Sequence, residues 1–122
     1  GQKALAMTLD GSQNATFAGT IDSGAITSTG DVTAFSDVRL KENINTIDSA
    51  LDKVVKMRGV TYDRIDSGKS SAGVLADELQ SIAPELVHDG EYKSVAYGNL
   101  TSYLIEAIKE LKQEVETLRA TS

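Results

Sequence analysis

The chain has 122 residues, 40% of them hydrophobic and 25% charged, and its 18 acidic against 12 basic side chains give a formal net charge of −6. That length suits one modest domain with an appendage, and the acidic balance, with only 5% aromatics and no Trp, excludes the basic or base-stacking surface that nucleic acid requires. The absence of Cys excludes disulfides, thiolate metal sites and thiol nucleophiles, the single His88 leaves no second imidazole for a metal cluster, and no apolar run approaches the roughly 18 residues of a membrane span.

Residues 1–35 are rich in Gly, Ser, Thr and Ala and poor in charge. The start lacks the charged segment and apolar block of a signal peptide, and Gly1 reads as a boundary that leaves any upstream sequence unseen. Leu5, Met7 and Leu9 alternate with small or polar residues before the turn signal Asp10-Gly11. Ala15, Phe17, Gly19 and Ile21 repeat that alternation up to Asp22-Ser23-Gly24. Ile26, Val32 and Ala34 mark a third, weaker run. Strands this thin in apolar bulk are not stable alone in water. Two readings remain open: the end of a fibre in which intertwined chains approach closely, or an unstructured polar linker.

The character of the chain changes at Ser36-Asp37-Val38-Arg39-Leu40-Lys41-Glu42-Asn43-Ile44. A serine hydroxyl is a weak nucleophile that needs a base. Lys41 is the candidate, because a lysine amine becomes neutral readily when desolvated or set beside other cations. Arg39 is such a cation two residues away, and Asp37 would oppose it if close. Asn43 is either a loop-holding residue or a donor to a developing oxyanion. Five residues of helix carry two side chains roughly 140° off a shared face, and an odd offset in a strand sends them to opposite faces. A Ser36–Lys41 dyad therefore requires a bend between them, or a Lys41 supplied by a neighbouring chain. A dyad at such a border suggests a chain that cuts itself; the plain alternative is a capping serine beside a solvated charge run.

Beyond this border the pattern turns helical. Ile47, Leu51, Val54 and Val55 form an apolar stripe over 47–58, with Thr46 or Asp48 as N-cap and Gly59 as the stop. Val60-Thr61-Tyr62 reads as a strand, residues 64–71 as a polar loop, and Gly73-Val74-Leu75 as a second strand. A short helix follows over about 77–83, ended by Pro84. Leu86-Val87 and residues 92–97 suggest a hairpin around Asp89-Gly90. Asn99 or Thr101 caps a last helix running to about Arg119. Its Leu104, Ile108, Leu111, Val115 and Leu118 are spaced 4-3-4-3, the repeat of a coiled-coil seam over about 100–120. Glu114 and Arg119 then occupy g and e positions suited to interchain pairing. Branched residues at a with Leu at d favour a dimer by simple rule, although a short coil leaves the number to the preceding domain. The exposed polar residues Lys109, Glu110, Lys112, Gln113 and Glu116 favour self-association over an amphipathic helix packed on its own domain.

Three blocks carry a family resemblance. Ser36-Asp37-x-Arg39-x-Lys41-x-Asn43-Ile44 is the first and most specific. Ala72-Gly73-Val74-Leu75-Ala76-Asp77-Glu78-Leu79 with Pro84-Glu85-Leu86-Val87 is the second, and Val95-Ala96-Tyr97-Gly98-Asn99-Leu100 leading into Ile105-Glu106-Ala107-Ile108-Lys109-Glu110-Leu111 is the third. In this order, over 36–122, they resemble the C-terminal intramolecular chaperone domain of phage tail spikes and tail fibres, the S74 family. The resemblance implies an α+β fold: a small mixed domain with a C-terminal coiled-coil helix, assembled as an intertwined homotrimer and preceded by a β-rich fibre end. It implies residues 1–35 as the end of a trimeric shaft and 36–122 as a chaperone and autoprotease. Such a domain helps three fibre chains fold and then cleaves before the signature serine, here the Phe35–Ser36 bond, with Ser36 and Lys41 catalytic and Asp37, Arg39 and Asn43 in support. No cofactor or metal is called for. The implied partners are other copies of the chain and its own upstream fibre, with no nucleic acid and no membrane. The implied place is a virion tail precursor made in the host bacterial cytoplasm, the chaperone being released on maturation.

The alternatives are a non-cleaving trimeric tip that caps the fibre or touches a receptor, and a Ser–Lys hydrolase acting on other proteins, for which nothing supplies a substrate cleft. Ser67-Gly68-Lys69-Ser70 is not a phosphate loop, because Asp63 stands where its first glycine belongs. Asp89-Gly90-Glu91 reads as a turn rather than a calcium loop. His88 reads as a loop residue, and Tyr62, Tyr92, Tyr97 and Tyr103 read as core and assembly contacts.

Overall fold

A computed structural model of the chain describes residues 6–121; Gly1 and Leu5 lie outside the described residues. The chain divides into two compact units, the division falling between Glu42 and Asn43.

In the first unit β1 (Met7–Leu9) pairs antiparallel with β2 (Ala15–Phe17), Met7 opposite Phe17 and Leu9 opposite Ala15. The turn forms where Asp10-Gly11 predicts it, and Asp10 is what holds it. Its carboxylate accepts from the backbone N–H of Ser12 and Asn14 and from Asn14 Nδ2 at 2.8–3.0 Å. The predicted alternation continues to Ile21, but the strand stops at Phe17, and the third run over 26–34 forms no strand. The reason is lack of a partner. Every described residue of this unit is exposed, including Phe17, Ile26 and Val32, and a two-stranded hairpin with no covered face has nothing to extend against.

The second unit is a small mixed α/β fold. α1 (Ala50–Lys56) is followed by the ribbon β3 (Val60–Asp63) and β4 (Ser70–Gly73), then α2 (Ala76–Gln80). A 3-10 turn at Pro84–Leu86 leads to β5 (Val87–His88), paired with β6 (Ser94–Val95), and a second turn at Tyr97–Asn99 opens the 22-residue α3 (Leu100–Thr121). The second strand of the ribbon thus lies at Ser70–Gly73, ahead of the expected Gly73-Val74-Leu75. Strand β4 must start within reach of β3, and the tight turn at Gly68, with φ of +72°, sets that register as Asp63 opposite Ser70. His88 is an exposed strand residue rather than a turn residue.

Leu79, Ala83, Leu86, Val87 and Tyr103 form the core cluster, with Ile47, Val54, Met57, Val74, Val95 and Leu100 packed around it. Helix α3 joins this core through Leu100, Tyr103 and Ala107, a 3-4 spacing that lies on one helical face. The Tyr103 hydroxyl donates to the Glu85 carboxylate. Of the four tyrosines, Tyr103 is buried, Tyr62 is half-buried, and Tyr92 is largely exposed.

Tyr97 ties the last turn to the ribbon. Its hydroxyl accepts from Val74 N–H at 3.2 Å and donates to Val74 C=O at 3.4 Å. Gly73 permits this approach, because a Cβ there would stand 2.3 Å from the Tyr97 hydroxyl and 3.2 Å from its ring. Gly73→Ala is expected to lower stability by about 1–3 kcal/mol, the usual cost of overpacking. Tyr97→Phe in the same chain should recover part of that loss. Denaturant titration of the two single variants and the double variant measures the coupling, and strictly additive effects would contradict the contact.

Candidate functional site

The bend that a same-chain dyad needs is a 3-10 turn, Val38–Leu40. Asp37 starts it: its carboxylate accepts the backbone N–H of Arg39 at 2.8 Å, and its carbonyl accepts the N–H of Leu40 at 3.0 Å. Lys41 N–H closes the turn on Val38 C=O at 3.1 Å, after which Lys41 itself is extended. Ser36 and Lys41 lie outside this three-residue turn, on its two flanks, so the bend rather than a shared helical face brings them together. Lys41 Nζ lies 2.6 Å from Ser36 Oγ and donates to it. Both residues are exposed in the single chain.

Arg39 behaves differently from its expected role. Its Nε and Nη2 grip the two oxygens of Asp37 at 3.0 and 2.9 Å, a bidentate pair. The cation is therefore matched by Asp37 rather than set against Lys41, and the two residues act together to hold the turn. The Arg39 side chain is the main cause, and its backbone N–H the second, of an Asp37 carboxyl held below the ordinary carboxylate range. Asn43 lies in the left-handed region with φ of 53°, a conformation Asn tolerates better than most side chains. Its carbonyl accepts from Asn45 Nδ2 at 2.9 Å. This conformation fits the loop-holding alternative for Asn43. Phe35 is almost fully exposed and lines an open concavity with Asp37, Arg39 and Leu40.

The seam of α3 is the second feature. Leu104, Ile108, Leu111, Val115 and Leu118 retain between 38% and 68% of their surface. At 100° per residue they fall within a stripe about 80° wide, centred roughly 100° around the helix from the face that Tyr103, Ala107 and Glu110 turn to the domain. The helix thus carries two stripes, one covered and one open. Glu110 departs from the solvent role expected of it: half-buried, it caps α1 instead of facing water. Sequence pattern missed this because a charged residue in an amphipathic helix reads as outward unless a distant backbone needs it. The expected N-caps Thr46 and Asp48 are correspondingly not used.

Comparison with known proteins bears on the same segment. A family model described as "Chaperone of endosialidase", Peptidase_S74, matches residues 36–88, so the match begins at Ser36. The long tail fiber protein Gp37 of Enterobacteria phage K3 is 35% identical over 96 residues, 70% of this chain and 8% of that protein. Gp37 of Enterobacteria phage T2 is also 35% identical over 96 residues, 70% of this chain and 7% of that protein. Gp37 of Enterobacteria phage M1 is 32% identical over 101 residues, 73% of this chain and 40% of that protein. The chain therefore spans less than half the length of each of these relatives.

The Asp37–Arg39 clamp has a pH signature. A carboxyl whose folded pKa is depressed contributes stability in full above its unfolded pKa, about 3.9, and loses it as pH falls through the lower folded value. The turn should therefore persist from neutral pH to about pH 4 and open only in stronger acid. Carboxyl NMR titration should find Asp37 below the usual range, and Arg39→Ala should move it back part of the way, since the backbone N–H remains. An unshifted Asp37 would contradict the clamp.

Proposed function

From the match of residues 36–88 to the chaperone-of-endosialidase family model, we propose that this chain is the C-terminal end of a phage tail fibre or spike. In this reading residues 1–35 end a β-rich shaft, and residues 36–122 trimerise three chains, guide their folding and then cut the Phe35–Ser36 bond. The observation that carries it is the 2.6 Å separation of Lys41 Nζ and Ser36 Oγ at the first residue of the family match. The Gp37 relatives support the fibre context. The product is a virion tail component, and none of the described helices is long and apolar enough to cross a membrane.

The chemistry needs only the chain and water. A neutral Lys41 amine accepts the Ser36 hydroxyl proton while Oγ attacks the Phe35 carbonyl carbon. The carbon–nitrogen bond to Ser36 breaks, and the proton passes from Lys41 to the departing Ser36 nitrogen. This N-to-O shift leaves Phe35 as an ester on Ser36. Water then hydrolyses the ester, giving a Phe35 carboxylate and restoring the Ser36 hydroxyl beside the α-amine freed in the shift. Desolvation favours a neutral amine, and an exposed dyad acquires it when neighbouring chains close around it. Cutting is thereby tied to assembly, and the open seam of α3 is the surface through which assembly proceeds. Fully burying one Leu, Ile or Val side chain contributes about 1.5–3 kcal/mol, so a seam of five supplies a substantial drive.

The second reading is a non-cleaving trimeric tip. The exposure of both dyad groups and the pairing of Arg39 with Asp37 favour it, since neither provides an activating environment within one chain.

Ser36→Ala should abolish cutting, and so should Lys41→Arg, because a guanidinium does not serve as a base near neutral pH. Denaturing gels and intact mass read this directly: one band from each variant beside two from the parent. Two bands from either variant would reject the dyad, and one band from a trimeric parent would select the non-cleaving tip. Leu111→Asp should give monomers that cut at least tenfold more slowly; an undiminished rate in a monomer would break the link to assembly.

A further inference from the structure

Helix α1 has no cap of its own. Ser49 precedes it in the left-handed region, φ of 50°, and makes no side-chain bond to its N-terminal turn. The leading N–H groups are instead satisfied from sixty residues away: Glu110 Oε1 accepts from Ala50 N at 3.2 Å, and Glu110 Oε2 from Leu51 N at 2.5 Å. Ala50 is fully buried at this junction. The contact between α1 and α3 is the most extensive between elements of the second unit.

The place of Glu110 along α3 gives this contact a consequence. Tyr103, Ala107 and Glu110 continue one face at 4-3 spacing, and beyond Glu110 every described residue of the helix is exposed. Glu110 is thus the last described residue of α3 that is not exposed, and it is bonded to α1. The seam straddles that point, with Leu104 and Ile108 before it and Leu111, Val115 and Leu118 after it. A purely apolar contact tolerates rotation of a helix about its axis, because dispersion and burial are not directional. Two hydrogen bonds donated by successive backbone N–H groups to one carboxylate are directional. One residue of rotation, about 100°, carries the carboxylate off α1 altogether.

We infer that Glu110 is a positioning residue that locks the rotation of α3 against α1 and so decides which stripe of the exposed half of the helix meets another copy of the chain. This rests on the self-association proposed above. A polar group at one fixed position is a known way of selecting register where apolar packing alone is permissive. Here the selecting group lies beside the seam rather than in it, so the domain, not the coil, chooses the face.

The chain has no Cys, so single cysteines report the face cleanly. Under mild oxidation with native Glu110, Val115→Cys is expected to cross-link between chains at least fivefold more than Glu116→Cys. In a Glu110→Ala background the ratio should fall to about one, and in Glu110→Gln, which keeps an acceptor, at least half of the preference should return. Hydrogen exchange at the Ala50 and Leu51 amides should accelerate about tenfold in Glu110→Ala and less in Glu110→Gln. A Val115 preference that survives Glu110→Ala, or unaltered exchange at those amides, would overturn the positioning role. No cross-link from Val115→Cys with native Glu110 would overturn self-association itself, and with it the rotational role.

Discussion

Among the described residues the apolar stripe along α3 stays largely open to solvent, and much of the molecule follows from that. The second unit buries only a handful of apolar side chains, among them three alanines, while the longest element presents six large aliphatic residues to solvent, five of them along one stripe. A domain of this size is marginal when its core is small. Exposing a row of Leu, Ile and Val on a regular helix would invite indiscriminate contact unless one surface were meant to receive it. The most economical receiver is the same stripe on another copy, because a 4-3 repeat is complementary to itself. The described residues of the first unit have the same shortage in extended form, a single hairpin and exposed apolar side chains, which the proposed side-by-side chains would cover.

Two directional devices built from carboxylates give this loosely packed molecule definite geometry. Asp37 caps a 3-10 turn and clamps Arg39, and the turn brings Ser36 and Lys41 together. Glu110 caps α1 and fastens α3. Both are exposed or half-exposed, so neither contributes much to global stability as an ion pair. Their effect is on direction: each replaces a rotation or bend that apolar contact leaves soft with one that hydrogen-bond geometry defines.

How much of this was legible in the sequence follows from the range of each interaction. The hairpin at Asp10-Gly11, the strand from Val60, the hairpin around Asp89-Gly90 and the long helix rest on local patterns, and each is present. The resemblance at Ser36–Ile44 located the segment that the family model also matches first. What local pattern missed depended on distant partners. Residues 47–58 have the apolar period of a helix, but α1 starts at Ala50 because its cap arrives from Glu110. The run over 26–34 alternates like a strand but lacks a sheet to join. Arg39 looked like a cation aimed at Lys41, but a carboxylate two residues away offers a bidentate fit that a lone amine does not.

Under the proposed function, a fibre gives a reason for a chain to carry such a domain and then lose it. Intertwined strands make contacts far apart in sequence or on different chains, and these form only after the entropy of gathering chains in register has been met. A trimerising element at one end raises the effective concentration of the remaining segments to roughly millimolar over short tethers. Once the shaft has closed, the same element is a route by which it can unravel from that end. The proposed cut at the boundary would remove the route, and a shaft that could no longer re-register its chains would be held by its barrier to unfolding rather than by an equilibrium. A dyad assembled from one short turn suits that order of events: its groups are in contact from the start, and the step left for assembly is to strip water from them. The signal that the chains have closed and the act that makes closure permanent would then be the same change in solvation.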